Sequence, residues 1–309
     1  MDSFVLLGIF LSMFGAGLLL GFVGAGGSGS NRKGKRNMAF MQVEFYSNTL
    51  SLASTIQVIA PVRPNPINTA RGEAEESGRP AAYPVLYLLH GGSDNHTSWH
   101  RFSSIERYAA DKDIIVVMPS VQYSFYADQK FGFPYFTYLT EELPAVVKGL
   151  FHASDRREDT FAAGLSMGGY GAFKLGIRCP GRFAAVASLS GSLDQCDRLG
   201  PSPTIQNQMM LQMAHYTFGS ASEYKGSGND LAYVLENHLR AGVTLPKFYQ
   251  ACGTLDHNFG MNESFYRQFN GRLDLTYSVD EGRGHEWNYW DEQIRLVLDW
   301  LPINGGDGK

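Results

Sequence analysis

Phe161–Phe173 reads FAAGLSMGGYGAF. Ser166 stands between an apolar run and a segment of helical character, with Gly164 and Gly168 completing the pattern Gly-x-Ser-x-Gly. The pattern alone is a weak signal, because glycine supplies 35 of the 309 residues and chance matches come easily. Position makes it informative. A strand, a sharp turn and a helix in immediate succession are what a nucleophile elbow requires. The turn is strained, and side chains at the flanking positions would collide with the neighbouring strand and helix. Glycines there remove the collision and leave the serine hydroxyl at the sheet edge. The helix that starts just beyond adds unpaired N–H groups and a favourable dipole.

The surrounding sequence supports that context. MAFMQVEFYSNTLSLASTIQVIAP alternates apolar and polar residues on both sides of Ser47-Asn48 and predicts a β-hairpin. Ile67–Ala82 is polar, with Gly, Pro and Glu, and predicts an exposed loop. PVLYLLHGG, IIVVMP, TFAAGLS, FAAVASLSG, PKFYQACGT and LDLTYSV are short apolar runs of the kind that form buried parallel strands. Helical segments fall between them: SIERYAADKD, TEELPAVVKGLF, GGYGAFKLGIR, NESFYRQFNGR and a closing WDEQIRLVLDWL. Helical patches are predicted at 203–213 and 229–241, inside a cap-like insertion spanning about residues 192–245. Repeated β-then-α alternation predicts an α/β fold, a mainly parallel central sheet with helices on both faces. Residues 38–309 read as one catalytic domain.

Composition narrows the function. A net charge of -4 and 44% hydrophobic residues describe an ordinary globular chain and argue against nucleic acid as a partner. Cys179, Cys196 and Cys252 form no CxxC pair and read as inert core thiols of a reducing, cytoplasmic compartment. Residues 1–37 read as an extension outside the fold. Phe4–Ala25 is apolar and uncharged, followed by Gly and Ser and then Arg32, Lys33, Lys35 and Arg36. This fits two readings equally: a membrane anchor with the body in the cytoplasm, or a non-native leader upstream of Met38.

A nucleophilic serine needs a base and an orienting acid, expected in the chain order Ser, Asp or Glu, His. Four histidines follow Ser166: His215, His238, His257 and His285. His285 sits in EGRGHEWNYW, between the last predicted strand and the last helix, where a loop opens on the elbow's edge of the sheet. His215 and His238 fall in helical patches. His257 is the rival, but it adjoins the preferred acid and would point away from it in an extended chain. That acid is Asp256, at the carboxyl end of FYQACGTL, where catalytic groups of open α/β sheets gather. Asp194 is the rival acid, and Asp280 and Asp291 flank the histidine too closely in sequence. Two backbone N–H groups should face the developing oxyanion: Met167, just after the nucleophile, and Gly92 or Ser93 after PVLYLLHGG. His90, His96 and His100 have no metal-ligand spacing, so no metal is expected.

The segments MAFMQVEFYSNTL, YLLHGGSDNHTSWHRFSSIERYA, MPSVQYSFYADQKFG, GLSMGGYGAFKLG, ACGTLD and GHEWNYWDEQIRLVLDWLP resemble the tributyrin esterase branch of the esterase D family of α/β-hydrolases, over roughly residues 38–301. The resemblance implies an α/β-hydrolase fold and a serine carboxylesterase acting on short-chain esters, acetyl to butyryl, without a cofactor. It carries nucleophile, acid and base onto Ser166, Asp256 and His285. HGG stands where this branch often has His-Gly-Met, and GTLDH where many members have Gly-Thr-Glu-Asp. Alternatives on the same triad are a feruloyl or acetyl-xylan type esterase and an acyltransferase. Trp99, Tyr126 and Phe131 are candidate walls of the acyl pocket. The expected partner is a small-molecule ester. A homo-oligomer is compatible with the sequence, and a membrane enters only if residues 4–25 are a genuine anchor.

Overall fold

The computed structural model describes residues 37–62, 82–200 and 208–303. The apolar Phe4–Ala25 run, the basic stretch after it and all of the predicted 67–82 loop except Ala82 lie outside them. Among the described residues no helix is long and apolar enough to cross a membrane. The described residues belong to one compact unit.

Among the described residues, eight strands form one sheet. β1 (Met38–Ser47) and β2 (Leu52–Pro61) are the predicted hairpin, paired antiparallel from Met38↔Pro61 to Ser47↔Leu52. The Glu142 carboxylate holds its turn, accepting from the Ser47 hydroxyl at 2.6 Å and from the Asn48 and Thr49 amides at 2.7 and 3.0 Å. β3 (Val85–Leu89), β4 (Ile115–Pro119), β5 (Thr160–Leu165), β6 (Ala185–Leu189), β7 (Lys247–Gly253) and β8 (Leu275–Asp280) follow the predicted apolar runs. The order across the sheet is β1-β2-β4-β3-β5-β6-β7-β8. β4 through β8 pair in parallel, and β2 joins β4 antiparallel.

The central strands read as continuous apolar runs because both of their faces are covered. Side chains alternate between two cores, as the period of two in a strand requires. Val85, Tyr87 and Leu89 enter one core, which also holds Phe173, Phe248 and Phe265. Leu86 and Leu88 enter the other, with Trp99, Ile105, Ile294 and Val297. Among the described residues the α-helices of four or more residues are α1 (Ser98–Phe102), α2 (Ile105–Ala110), α3 (Leu143–Leu150), α4 (Met167–Arg178), α5 (Cys196–Leu199), α6 (Gln208–Phe218), α7 (Ala221–Tyr224), α8 (Leu231–Arg240), α9 (Phe259–Phe269) and α10 (Trp287–Trp300). A π-helical turn over Tyr138–Glu142 leads into α3. The helix predicted at 203–213 is described over Gln208–Phe218, beyond its predicted end, and residues 201–207 lie outside the described residues. Parallel pairing brings the carboxyl ends of β3 to β8 to a single edge. Every segment that carries a candidate site residue leaves the sheet there.

Candidate active site

The elbow is built as its sequence predicts. β5 ends at Leu165, α4 begins at Met167, and Ser166 between them holds φ 53° and ψ -115°. A non-glycine residue in that region stores strain of order 1–3 kcal/mol. Neighbouring strands hold it in place. The Ser166 N–H donates to the Leu189 carbonyl at 2.8 Å, and its own carbonyl accepts from Ser192 N–H at 3.1 Å and Tyr170 N–H at 3.2 Å. The need for glycine at 168 is steric: a Cβ there would stand 2.4 Å from the Leu89 carbonyl oxygen. Helix α4 therefore lies directly against the end of β3. Met167 opens that helix, so its N–H belongs to the first turn and has no intrahelical acceptor. Its side chain is buried, with Sδ accepting from Phe125 N–H at 3.4 Å.

The loop after β3 is braced from behind. His90 is fully buried, with Nδ1 2.7 Å from the Gly91 carbonyl oxygen and Nε2 accepting from Val121 N–H at 3.1 Å. The neutral ring protonated on Nδ1 satisfies both contacts. Burial pushes its pKa from the usual 6.5 down to about 4, against an opposing pull from the Gly91 carbonyl. A folded pKa below the unfolded one means the unfolded chain binds the extra proton. The stability from neutral His90 is therefore complete above pH 6.5 and lost as pH falls through about 4. The shift corresponds to about 3 kcal/mol from this one group. Urea midpoints measured from pH 7 to pH 4.5 are expected to fall, and His90→Gln to flatten that slope. A wild-type midpoint constant over the range would refute the account.

The acid and base come from the loops after β7 and β8. His285 Nδ1 lies 2.9 and 3.0 Å from the two Asp256 oxygens. Asp256 is buried, and Asn258 N–H donates to Oδ1 at 2.8 Å. Burial alone would raise the carboxyl's pKa. The hydrogen bond and charge of His285, the Asn258 amide and the Ser190 hydroxyl together outweigh burial and hold it below the usual carboxylate value. The two loops run against each other: Leu255 N–H donates to the Arg283 carbonyl at 2.9 Å, and Thr254 N–H to the Asp280 carbonyl at 3.0 Å. Gly253 permits this, since a Cβ there would stand 2.2 Å from the Arg283 carbonyl oxygen.

A support layer that sequence reasoning did not single out links this pair to the elbow. Ser190, in the left-handed region at φ 51°, accepts from Trp290 Nε1 on Oγ at 2.9 Å and from Asn258 Nδ2 on its carbonyl at 2.9 Å. Asn262 Nδ2 donates to the Gly191 carbonyl at 2.8 Å. The Trp290 ring meets His285 edge-on at 4.8 Å between centroids. Ser190, Asn258 and Asn262 sit in SLSG and DHNFGMN and Trp290 in HEWNYW, stretches whose partners lie far away in sequence.

The rival residues are otherwise engaged. Asp194 is exposed, and its carboxylate accepts from Cys196 N–H at 2.9 Å. Asp280 accepts from the Tyr289 hydroxyl at 2.8 Å, and Asp291 from Ser104 N–H at 2.7 Å. His215 Nδ1 faces the Gly219 carbonyl at 3.0 Å. His257 corrects an expectation. The chain turns after Gly253 rather than running extended, so His257 does not point away from Asp256. Its Nδ1 lies 3.9 Å from Asp256 Oδ1, and its ring leans on His285 with centroids 4.2 Å apart.

Two pocket expectations also fail. Trp99 is buried at 1% exposure, with its indole N–H donating to the Leu89 carbonyl at 2.9 Å. Tyr126 is buried at 0%, with its hydroxyl donating to the His90 carbonyl at 2.8 Å. Both are core residues that stiffen the β3 end, because apolar mass beside an α/β sheet edge is recruited first to hold the loops. Phe131 is exposed beneath the Lys130 ammonium, and its N–H donates to the Tyr216 carbonyl at 2.9 Å. The ring beside the Gly92 loop is Tyr123, 2.7 Å from where a Gly92 Cβ would stand. Ser93 lies in the same turn and is exposed.

A mainly parallel eight-stranded sheet with a strained serine elbow at its carboxyl edge defines an α/β-hydrolase. Residues 76–299 match the family model described as "Putative esterase". An acetyl esterase of Caldicellulosiruptor saccharolyticus is 30% identical over 268 residues, covering 85% of this chain and 98% of its own. Among solved structures, the fluorophosphonate-binding serine hydrolase F of Staphylococcus aureus superposes with a TM-score of 0.74 at 28% identity, covering 86% of this chain and 98% of its own. An S-formylglutathione hydrolase of the same organism superposes with a TM-score of 0.72 at 28% identity, covering 86% and 99%. The chain belongs to this esterase family and is a carboxylic ester hydrolase of the serine class.

Proposed function

We propose that the chain hydrolyses short-chain acyl esters, acetyl to butyryl, through an acyl-enzyme on Ser166. In this reading His285 Nε2 takes the serine proton and later gives it to the leaving alcohol. Asp256 holds the ring proton on Nδ1 and stabilises the imidazolium. The N–H groups of Met167 and Gly92 receive the oxyanion. Residues 38–309 act as one catalytic domain, with residues 192–245 as its cap. The observation that carries the reading is the contact of His285 with the buried Asp256 carboxylate at 2.9 Å, on the same sheet edge as the strained Ser166 turn. An acetyl esterase relative matched over 85% of this chain supports the small acyl group. The finer placement in the tributyrin branch rests on the sequence segments quoted above.

Tyr123 argues for a short acyl chain over a feruloyl group. Its half-buried ring packs on Gly92 and on Phe125, with centroids 5.4 Å apart, narrowing the space beside the oxyanion donor. Beside His257 lies a cavity of about 640 Å³ lined by Leu193, Asp194, Lys225, Asp230 and Met261 among others. This is the place for the alcohol half, and its charged wall suits a hydroxyl-rich alcohol. A profile of nitrophenyl esters from acetyl to decanoyl, with methyl ferulate, tests both points. Wild-type kcat/KM is expected to peak at or below butyryl. Tyr123→Ala is expected to move the peak to longer chains, about tenfold at hexanoyl, on the scale of a few methylenes of pocket space. A wild-type preference for ferulate would reject the short-acyl reading.

A further inference from the structure

We propose that Asp256, His257 and His285 form a binding site for a zinc-class divalent cation that switches the esterase off. The inhibitory effect rests on the reading of Asp256–His285 as the catalytic pair. The three residues offer two imidazole nitrogens and a carboxylate oxygen, with donor atoms all within 4.8 Å of one another. His285 Nδ1 is 2.9 Å from Asp256 Oδ2, and His257 Nδ1 is 3.9 Å from Asp256 Oδ1. Ligand bonds of about 2.0–2.2 Å in a tetrahedral zinc shell set neighbouring donors about 3.4 Å apart. That spacing falls between the two contacts, so small side-chain rotations close the site. Three protein ligands leave the fourth position to water. A mixed imidazole and carboxylate set selects zinc and its neighbours over magnesium and calcium, which take shells of oxygen.

Burial and access also suit a cation. The Asp256 side chain is 0% exposed, which lowers the effective dielectric around its charge. The His257 side chain is 60% exposed and stands between that carboxylate and solvent, on the wall of the neighbouring cavity. His257 has no part in the serine relay, yet its ring sits 4.2 Å from that of His285.

Ligation disables catalysis through the tautomer. In the resting pair the proton is on His285 Nδ1, facing Asp256, and Nε2 keeps its lone pair. A cation on Nδ1 replaces the proton there: the Nδ1–H bond breaks, its electron pair binds the cation, and the proton passes through solvent to the lone pair of Nε2. No proton is gained or lost, but the nitrogen that must accept the Ser166 proton is now a donor.

The test is a zinc chloride titration of ester hydrolysis in chelator-free buffer, reversed with EDTA. Wild-type enzyme is expected to be inhibited at micromolar zinc and fully restored. His257→Phe keeps a ring beside His285 and removes the ligand. Measured against its own zinc-free turnover, it is expected to need about 10–100-fold more zinc for half-inhibition. His257→Gln provides a second variant should the phenylalanine form fold poorly. Cobalt(II) titrated into Ser166→Ala gives a readout independent of turnover. The visible bands of four-coordinate cobalt are expected there and are expected to vanish when His257→Phe is added. Insensitivity of the wild type to millimolar zinc, equal inhibition of wild type and both His257 variants, or cobalt bands unchanged by His257→Phe would each overturn the site. Full activity of Ser166→Ala would instead overturn the triad, and the cobalt bands would still report on the site.

Discussion

Ser166→Ala is expected to lower turnover of nitrophenyl acetate and butyrate by about 10⁵-fold while leaving the fold intact. The loss is large because nucleophile, base and acid act as one unit, so removing one member removes nearly all that the unit contributes. The residual rate would come from substrate binding and the oxyanion donors. Retention of the fold follows from the contacts. The hydrogen bonds of the elbow to Leu189, Tyr170 and Ser192 are all made by backbone atoms of residue 166. Alanine keeps both them and the Cβ already accommodated at φ 53°. Ser166→Gly should be as inactive and should melt higher than Ser166→Ala, because glycine adopts that conformation with little strain. Turnover, labelling by a fluorophosphonate probe and thermal melts measure all three effects. Wild-type turnover in the alanine variant would sink the nucleophile assignment.

Asp256→Asn is expected to cost about 10⁴-fold in kcat with much less effect on KM. The asparagine oxygen would remain with the Asn258 N–H, which donates to Oδ1 at 2.8 Å in the native protein. Its NH₂ group would then face His285 Nδ1, where a carboxylate oxygen now lies at 2.9 Å. Two donors cannot face each other, so the ring proton moves to Nε2 and the base is lost. The buried volume is unchanged, so the circular dichroism spectrum should match the wild type. A kcat within tenfold of wild type would show that another acid orients His285. Asp194, Asp280 and Asp291 are poor substitutes, since each is committed to the contacts described above.

Much of the architecture was legible in the chain because its signals are local. Apolar runs such as VLYLL and IVVMP mark strands buried on both faces, and the 3.6-residue pattern of WNYWDEQIRLVLDW marks the closing helix. The elbow motif was legible for the same reason, since its glycines answer to atoms a few residues away and to one adjacent strand. The extent of α6 was misjudged, the helix running on to Phe218, because the apolar positions of QMMLQMAHYTF suit several registers.

Aromatic residues were the least legible. Trp99, Tyr126 and Phe131 look alike in sequence, yet the first two brace the β3 end from the core and the third lies exposed on the surface. Tyr123, which does reach the Gly92 loop, carries no separate mark. Side-chain burial in this region depends on how the β4 loop turns, and that loop places Gln122, Phe125 and Tyr126 at φ of 53°, 50° and 53°. Such conformations are imposed by surrounding packing against the residues' own preference, so local sequence does not announce them.

By itself, then, the sequence determined the alternation of strands and helices, the elbow at Ser166 and the chain order of serine, aspartate and histidine. All three follow from periodicity, turn sterics and the single edge to which parallel strands deliver their loops. The sequence also ranked Asp256 above its rivals as the acid, but the tertiary structure alone decided that His257 leans on the same pair and that Ser190, Asn258 and Trp290 hold it. Those outcomes depend on loops some thirty to a hundred residues apart meeting at hydrogen-bond distance. No local pattern encodes such a meeting, because it is set by the summed register of every strand between them.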